Sequence, residues 1–353
     1  MTHRSDGLQA PPLGLYLHTP WCVRKCPYCD FNSHTAPATI PEDDYLRALI
    51  EDLEADSDLL DDRPLQSLFI GGGTPSLMSA SFYERFLEAL SRRVDLSQLH
   101  EITLEANPGT VEEARFRDFR RVGINRLSLG VQSFDPHHLS RLGRIHDDTD
   151  ARRGVDTAIM AGFDRINLDL MHGLPEQTPE QAVSDLETAL AFNTGHVSWY
   201  QLTIEPNTAF YSDPPTLPDD DTMAAIQEQG EAVLSAAGLR RYEISAWGRP
   251  GEECRHNLNY WRFGDYLALG AGAHGKVTRR AAESVQRYWK TRQPGDYINR
   301  IGSRTAGRSE PEAPDLVLEF MLNALRLSEG VPASFFQART GLPLSRIEAE
   351  LQR

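Results

Sequence analysis

Cysteine is scarce in this chain: four in 353 residues, three of them crowded into eight positions (Cys22, Cys26, Cys29) and the fourth, Cys254, alone. That arrangement is not the evenly spread framework of a disulfide-stapled secreted domain. No run approaches the roughly 20 apolar residues that a membrane helix needs. Residues 1–12 carry no apolar core of a secretory signal, so a reducing, cytoplasmic location is expected. Cations are also short: 36 Lys and Arg face 51 Asp and Glu, a formal charge of −15. Such a surface repels phosphate backbones, and nucleic acid is not expected as a partner. Peripheral contact with a membrane is left open. Low-complexity tracts are missing as well.

What is present is an ordinary soluble composition, 40% apolar and 25% charged, with a regular alternation of short apolar runs and amphipathic stretches. Strands are predicted at 13–18, 67–70, 101–105, 126–132, 165–171 and 196–202, and helices at 43–60, 81–92, 111–121, 149–161 and 180–191. Six β/α units in series predict an α/β fold, a partial (βα)6 barrel whose site lies at the C-terminal ends of the strands. Residues 1–12 are expected to be disordered, 13–205 to form the barrel core, 206–300 to extend it, and 315–353 to form a smaller, mostly helical C-terminal domain that stops early. A helix is expected at 222–237, a strand at 242–246, and helices at 315–327 and 332–352. The last pair has a helix–turn–helix pattern, but its acidic residues favour packing over DNA binding.

Thiolates are soft ligands, and a tight cluster of them suits zinc or an iron–sulfur cluster. Three local sulfurs leave one corner of a four-iron cluster free for a small molecule. The alternative is a structural zinc completed by His18 or His34. Polar or glycine-rich residues recur where successive strands end: Gly71-Gly72-Gly73-Thr74-Pro75, Glu105, Gln132, Asp169. Each alone has a plain explanation, a tight turn, a helix cap or a satisfied buried amide. Their joint order points to a site.

Cys22-x-x-x-Cys26-x-x-Cys29, preceded by Tyr16-Leu-His18-Thr-Pro20-Trp21 and followed by Gly71–Pro75, Glu105, Gly130-Val-Gln132-Ser-Phe134, Arg144 and Asp169-Leu-Met-His-Gly-Leu-Pro175, resembles the radical S-adenosylmethionine (SAM) enzymes. Within them it resembles the branch of the oxygen-independent coproporphyrinogen oxidases. The resemblance implies a [4Fe-4S] cluster on Cys22, Cys26 and Cys29, with SAM on its open iron. SAM would then contact Tyr16, Tyr28, Gly72, Gly73, Thr74, Glu105, Gln132, Arg144 and Asp169, and an electron donor would feed the cluster. Two departures point to a sister branch of heme chaperones. Phe31 stands where the oxidases carry a further cysteine, and only about a dozen residues precede the first strand.

His256-Asn257-Leu258-Asn259-Tyr260-Trp261 matches the HNxxYW motif of that branch. It implies heme bound through His256, since a neutral imidazole is a good axial ligand, and heme passed to acceptor hemoproteins such as those of a respiratory chain. A homodimer is compatible with that role. The plain alternative for 256–261 is a packed aromatic turn around a hydrogen-bonded histidine. The functional alternative is oxidative decarboxylation of coproporphyrinogen III. Cys254 reads as a buried, inert thiol rather than a heme thiolate, His274 as a weak candidate for contact with SAM or heme, and His172 as structural.

Overall fold

The computed structural model describes residues 7–109 and 115–351. Twelve strands form one sheet: β1 (Leu13–Thr19), β2 (Leu65–Gly72), β3 (Glu101–Ala106), β4 (Arg126–Gln132), β5 (Arg165–His172), β6 (Gly195–Gln201), β7 (Arg240–Glu243), β8 (Ala246–Gly248), β9 (Asp265–Leu269), β10 (His274–Arg279), β11 (Ser284–Lys290) and β12 (Thr305–Ser309). Their spatial order is β12-β11-β10-β9-β1-β2-β3-β4-β5-β6-β8-β7. The six predicted strands are therefore neighbours in chain order, and all five pairings among them are parallel. β9 adds a seventh parallel strand beside β1. Antiparallel strands finish both flanks, and the sheet stays open between β7 and β12.

The central strands are buried on both faces, which is why their sequences are nearly continuous apolar runs. Helices cover the outer face with apolar stripes. Glu42–Ala55 buries Tyr45, Leu46, Leu49 and Leu53, and Ala80–Ser91 buries Phe82, Phe86 and Leu90. Their starts are written in the sequence. Ser79 accepts a hydrogen bond from the Phe82 N–H, and Asp147/Asp150 and Thr178/Gln181 form reciprocal capping boxes. A second, smaller core joins Phe263 and Val285 to Leu316, Phe320, Phe336 and Ile347 of the C-terminal helices.

The structure differs from expectation in three places, and one further expected helix is described only in part. The single strand at 242–246 is a hairpin, β7–β8, turned by Ile244 and Ser245. The long helix at 332–352 is broken: Ser334–Thr340 ends where Gly341 takes a left-handed φ of 73°, and short turns follow. The predicted helix at 111–121 is described only from Phe116 to Arg121, its first residues lying outside the described chain. Of the N-terminal residues expected to be disordered, 1–6 lie outside the described residues, whereas Gly7–Pro12 are held against the body. The Gln9 N–H donates to the Ala338 carbonyl at 2.7 Å, and the Pro11 carbonyl accepts from Arg63 at 3.0 Å.

Candidate functional site

A cavity of about 530 Å³ opens at the C-terminal ends of the parallel strands. Cys22, Cys26, Cys29 and Tyr28 line it from the loop after β1, Gly72, Gly73 and Thr74 from the end of β2, Glu105 from β3, Gln132 from β4, Arg144 from the loop beyond it, and Asp169 from β5. These are the residues the sequence singled out, brought together as the β/α order requires.

Backbone geometry explains the glycines. Gly72 has φ +120°, and a Cβ there would sit 2.7 Å from the His18 ring; a Cβ on Gly73 would sit 2.5 Å from the Trp21 carbonyl oxygen. The turn is thereby stitched to the root of the cysteine loop: the Gly73 N–H donates to the Thr19 carbonyl and the Thr74 N–H to the Trp21 carbonyl, each at 2.7 Å. The Thr74 hydroxyl then reaches Cys22 Sγ at 3.6 Å. Gly73→Ala would force Trp21 and the loop behind it apart, an overpacking cost of about 1–3 kcal/mol. We expect the reconstituted variant to lose iron to a chelator about ten times faster than the parent chain, followed at the cluster's visible absorption.

The cysteine loop is held from other sides as well. Asn32 Nδ2 donates to the carbonyls of Ala271 and Arg292 at 2.9 Å each, and Arg24 donates to the carbonyls of Gly143 and Arg144. Arg144 reaches Cys26 Sγ at 3.7 Å, the Gly130 carbonyl at 2.7 Å and Asn107 Oδ1 at 2.6 Å. Asn107 in turn donates to Thr74. Asn107 is thus a site residue that lies just past the predicted strand 101–105 and is not among the sequence candidates. Ser128 and Tyr200 were missed too. Ser128 Oγ donates to Asp169 Oδ2 at 2.8 Å, with Asn167 donating to Asp169 Oδ1 at 2.8 Å, and the Tyr200 hydroxyl donates to Gln132 Oε1 at 2.6 Å. Gln132 has a left-handed φ of 73° at a break in the β4–β5 register. For a residue with a Cβ that costs roughly 1–2 kcal/mol, and such strain gathers at functional positions.

The carboxylates set the electrostatics. Burial, and next the Asp169 charge, push Glu105 up to about 8, against a single hydrogen bond from the Gly72 N–H. Burial also raises Asp169, opposed by its hydrogen bonds from Ser128 and Asn167. Two of the acids that line the cavity, Glu105 and Asp169, are thus buried close enough to raise one another's cost of ionising, which suits a positively charged ligand.

Two predicted residues lie elsewhere. Tyr16 is one layer beneath the cavity, its hydroxyl 3.0 Å from His18 Nδ1 and its ring stacked on Phe69. His256 is at the opposite end of the strands, in the helix Arg255–Trp261, fully buried beside Gly14 and Ser67. Its Nδ1 bonds Ser67 Oγ at 2.8 Å and its Nε2 bonds the Tyr260 hydroxyl at 2.9 Å. Burial holds it neutral, its pKa lowered to about 4. With both nitrogens engaged, the ring could reach an iron only by breaking two hydrogen bonds and leaving the core. The motif does structural work here, as a helix that plugs the base of the barrel.

Cys254, at that helix's start, is fully buried, its thiol pushed up to about 12 by burial, which makes it inert. His274 is exposed and stacks on Trp289, outside the cavity.

The thiols fit a cluster better than a lone ion. His18, weighed as a fourth zinc ligand, has Nδ1 bonded to Tyr16 and Nε2 to the Asn32 carbonyl. Among the described residues no three His, Cys, Asp or Glu side chains converge to hold one metal ion. A cubane asks instead for three thiols spread around a wall, with the remaining corner facing open space. Three half-buried cysteines on one cavity wall meet that demand.

An open parallel sheet with this cysteine loop and glycine turn is the fold and site of the radical SAM class. The family model described as "Radical SAM superfamily" matches residues 16–189, and that described as "HemN C-terminal domain" matches 312–353. The chain is 50% identical over 335 residues to the protein named "Heme chaperone HemW" of Escherichia coli strain K12, covering 95% of this chain and 88% of that one. It is 34% identical over 351 residues to the mouse protein "Radical S-adenosyl methionine domain-containing protein 1, mitochondrial", covering 95% and 79%. Among solved structures, coproporphyrinogen III oxidase (HemN) from E. coli superposes with a TM-score of 0.79 over 97% of this chain and 81% of that one, at 22% identity, a likeness of fold. The chain belongs to the HemW family. Among the described residues no helix is long and apolar enough to cross a membrane.

Proposed function

We propose that this chain is a cytoplasmic heme carrier that holds a [4Fe-4S] cluster on Cys22, Cys26 and Cys29 and SAM beside it, and hands heme to acceptor hemoproteins such as those of a respiratory chain. The observation that carries the reading is the 50% identity, over nearly its whole length, to a protein named as a heme chaperone. When bound and reduced, the cluster can supply one electron to the sulfonium of SAM. The chain's own residues do the rest. The Gly72–Thr74 backbone admits a ligand closely. Arg144 ties the Cys26 side of the loop to β4 and to Asn107, fixing the wall's shape. Glu105 and Asp169 offer negative charge to the ligand's cation, and Tyr28 closes the wall by the cysteines. Phe31, 59% exposed, stands on the same wall where a further thiol would have altered the ligand set.

Anaerobic reconstitution followed by metal and sulfide assay tests the first half, and hemin titration the second. The expected result is about four irons and four sulfides per chain, together with a Soret band that saturates near one hemin per chain. Stoichiometric zinc without sulfide would overturn the cluster. A titration that shows only free hemin would overturn the carrier role.

A further inference from the structure

Asp169 is held from beneath by a histidine on the next strand. His196, on β6, pairs in register with Asn167, two residues before Asp169 on β5, and is only 2% exposed. A Cβ on Gly248 of β8 would come within 3.2 Å of its ring, so packing keeps the imidazole in place. Both ring nitrogens are bonded, Nδ1 to Asn167 Oδ1 at 2.6 Å and Nε2 to the Tyr242 hydroxyl at 2.9 Å. Burial first, then Arg126 and Arg165, hold the ring neutral, its pKa well below the usual value. A neutral imidazole donates from one nitrogen and accepts at the other, so the chain of bonds through it has a direction.

The two ends of the chain fix that direction. At the outer end the Cys254 backbone N–H, which can only donate, gives to the Tyr242 hydroxyl at 3.2 Å. Among the described residues that hydroxyl has one other partner, His196 Nε2, and its proton goes there. The imidazole proton therefore lies on Nδ1 and is donated to Asn167 Oδ1, which also accepts from Ser198 Oγ at 3.0 Å. With its oxygen turned to β6, the Asn167 amide aims Nδ2 at Ser128 Oγ, 2.7 Å away, and at Asp169 Oδ1, 2.8 Å away. Ser128 in turn donates its hydroxyl to Asp169 Oδ2 at 2.8 Å. Asp169 thus meets a donor on each oxygen, an arrangement that favours the ionised acid. Burial raises Asp169, and these bonds, together with Arg126, pull against it.

Turning the Asn167 amide over would invert this logic. Its oxygen would face Asp169 and accept from the protonated acid. Its Nδ2 would face His196 Nδ1, demand the other tautomer and leave the Tyr242 proton without an acceptor. Glu105, the neighbour of Asp169 in the cavity, has a single donor, the Gly72 N–H. The chain of bonds from Tyr242 therefore decides which of two adjacent acids carries the charge.

We propose that His196 is a positioning residue for SAM: acting through Asn167, it keeps Asp169 ionised and ready for the ligand's cation. The proposal rests on the reading that SAM occupies this cavity.

Calorimetry on the full chain, reconstituted without oxygen, tests it with SAM and S-adenosylhomocysteine, which lacks the sulfonium charge. His196→Asn puts an amide N–H where Nδ1 stands, whereas His196→Gln puts it where Nε2 stands. His196→Phe keeps a ring and no donor. His196→Asn should keep SAM affinity within about twofold of the parent, while His196→Gln and His196→Phe should weaken it about tenfold. S-adenosylhomocysteine should stay within about threefold throughout, a selectivity that a packing role alone does not produce. Equal losses for the two ligands, or parental SAM affinity in both His196→Gln and His196→Phe, would overturn the role of His196 and leave SAM in the cavity. Where His196→Phe does not fold, the two amide variants decide alone, and equal SAM affinities in them would overturn the proposal. A parent chain that binds neither ligand would remove the SAM reading itself.

Discussion

Glu101→Ala is expected to lower the unfolding free energy by about 3–5 kcal/mol, a large share of what holds a domain together. Glu101 opens β3 and is fully buried. Its Oε1 accepts the His256 N–H at 3.0 Å and its Oε2 the Arg255 N–H at 3.0 Å, so it caps the helix Arg255–Trp261 from another strand. Oε2 also pairs with Arg165 at 2.8 Å, and Oε1 takes the Cys254 thiol. Arg126, 2% exposed, shares the same field. Removing the carboxylate leaves cations buried and helix N–H groups unsatisfied, the costly way to break an ion pair. Glu101→Gln keeps an acceptor and should cost about half as much. Burial alone would raise Glu101, but Arg126, Arg165 and the two N–H donors outweigh it and hold the carboxyl below its usual range. A depressed folded value gives stability that is present above the unfolded value and lost as pH falls through the folded one. The parent chain should therefore lose stability on the acid side, and Glu101→Gln should lose less of it. Urea unfolding at several pH values measures both effects. A change below 1 kcal/mol in the alanine variant would show that this hub is not holding the plug helix.

The plug also shows where sequence reading stops. The cysteine loop, the glycine turn and the acids at strand ends were legible because β/α order brings every strand end to one rim, whatever the details of packing. Ser128 and Tyr200 were not, because a single polar residue within a strand looks like noise, and Asn107 was not, because an Asn before Pro108-Gly109 reads as an ordinary turn. The signal was there in the alternation: Ser128, Gly130 and Gln132 on β4, and Asn167, Asp169 and Met171 on β5, occupy every second position and so share the inward face. Tyr16 obeys the same alternation, yet sits one step too deep to line the cavity. His256 failed differently. Histidine beside tyrosine and tryptophan is what a porphyrin site needs, and it is also what a buried aromatic plug needs. Only the partners decide, and Ser67, which takes Nδ1, lies 189 residues away in sequence.

The affinity for SAM should rise with pH from about 6 to 8, by up to about tenfold per unit, and then level off. The cause is Glu105, pushed up to about 8 by burial first and by Asp169 second. Below that value the free cavity holds a proton on Glu105. A sulfonium placed beside the carboxylate favours the ionised form, so binding must expel the proton, and the expulsion becomes easier as pH approaches the free-site value. The same raised value makes Glu105 a destabiliser of the empty protein in base: its contribution is fully present below the ordinary carboxyl value and is lost as pH rises through about 8. Cationic ligand should then restore the stability that alkaline pH removes. S-adenosylhomocysteine separates this effect from titration of the amino-acid tail, which the two ligands share. It lacks the positive charge, so the ratio of the two affinities should climb between pH 6 and 8 in the parent chain. Glu105→Gln should flatten that ratio and weaken SAM binding at pH 8 by about 10–100-fold, the worth of a hydrogen bond to a charged group. Calorimetry on the reconstituted, oxygen-free protein gives all four curves. Equal slopes for SAM and its neutral analogue would mean that the sulfonium does not lie against this carboxylate pair, and the cavity's charge would then need another ligand to explain it.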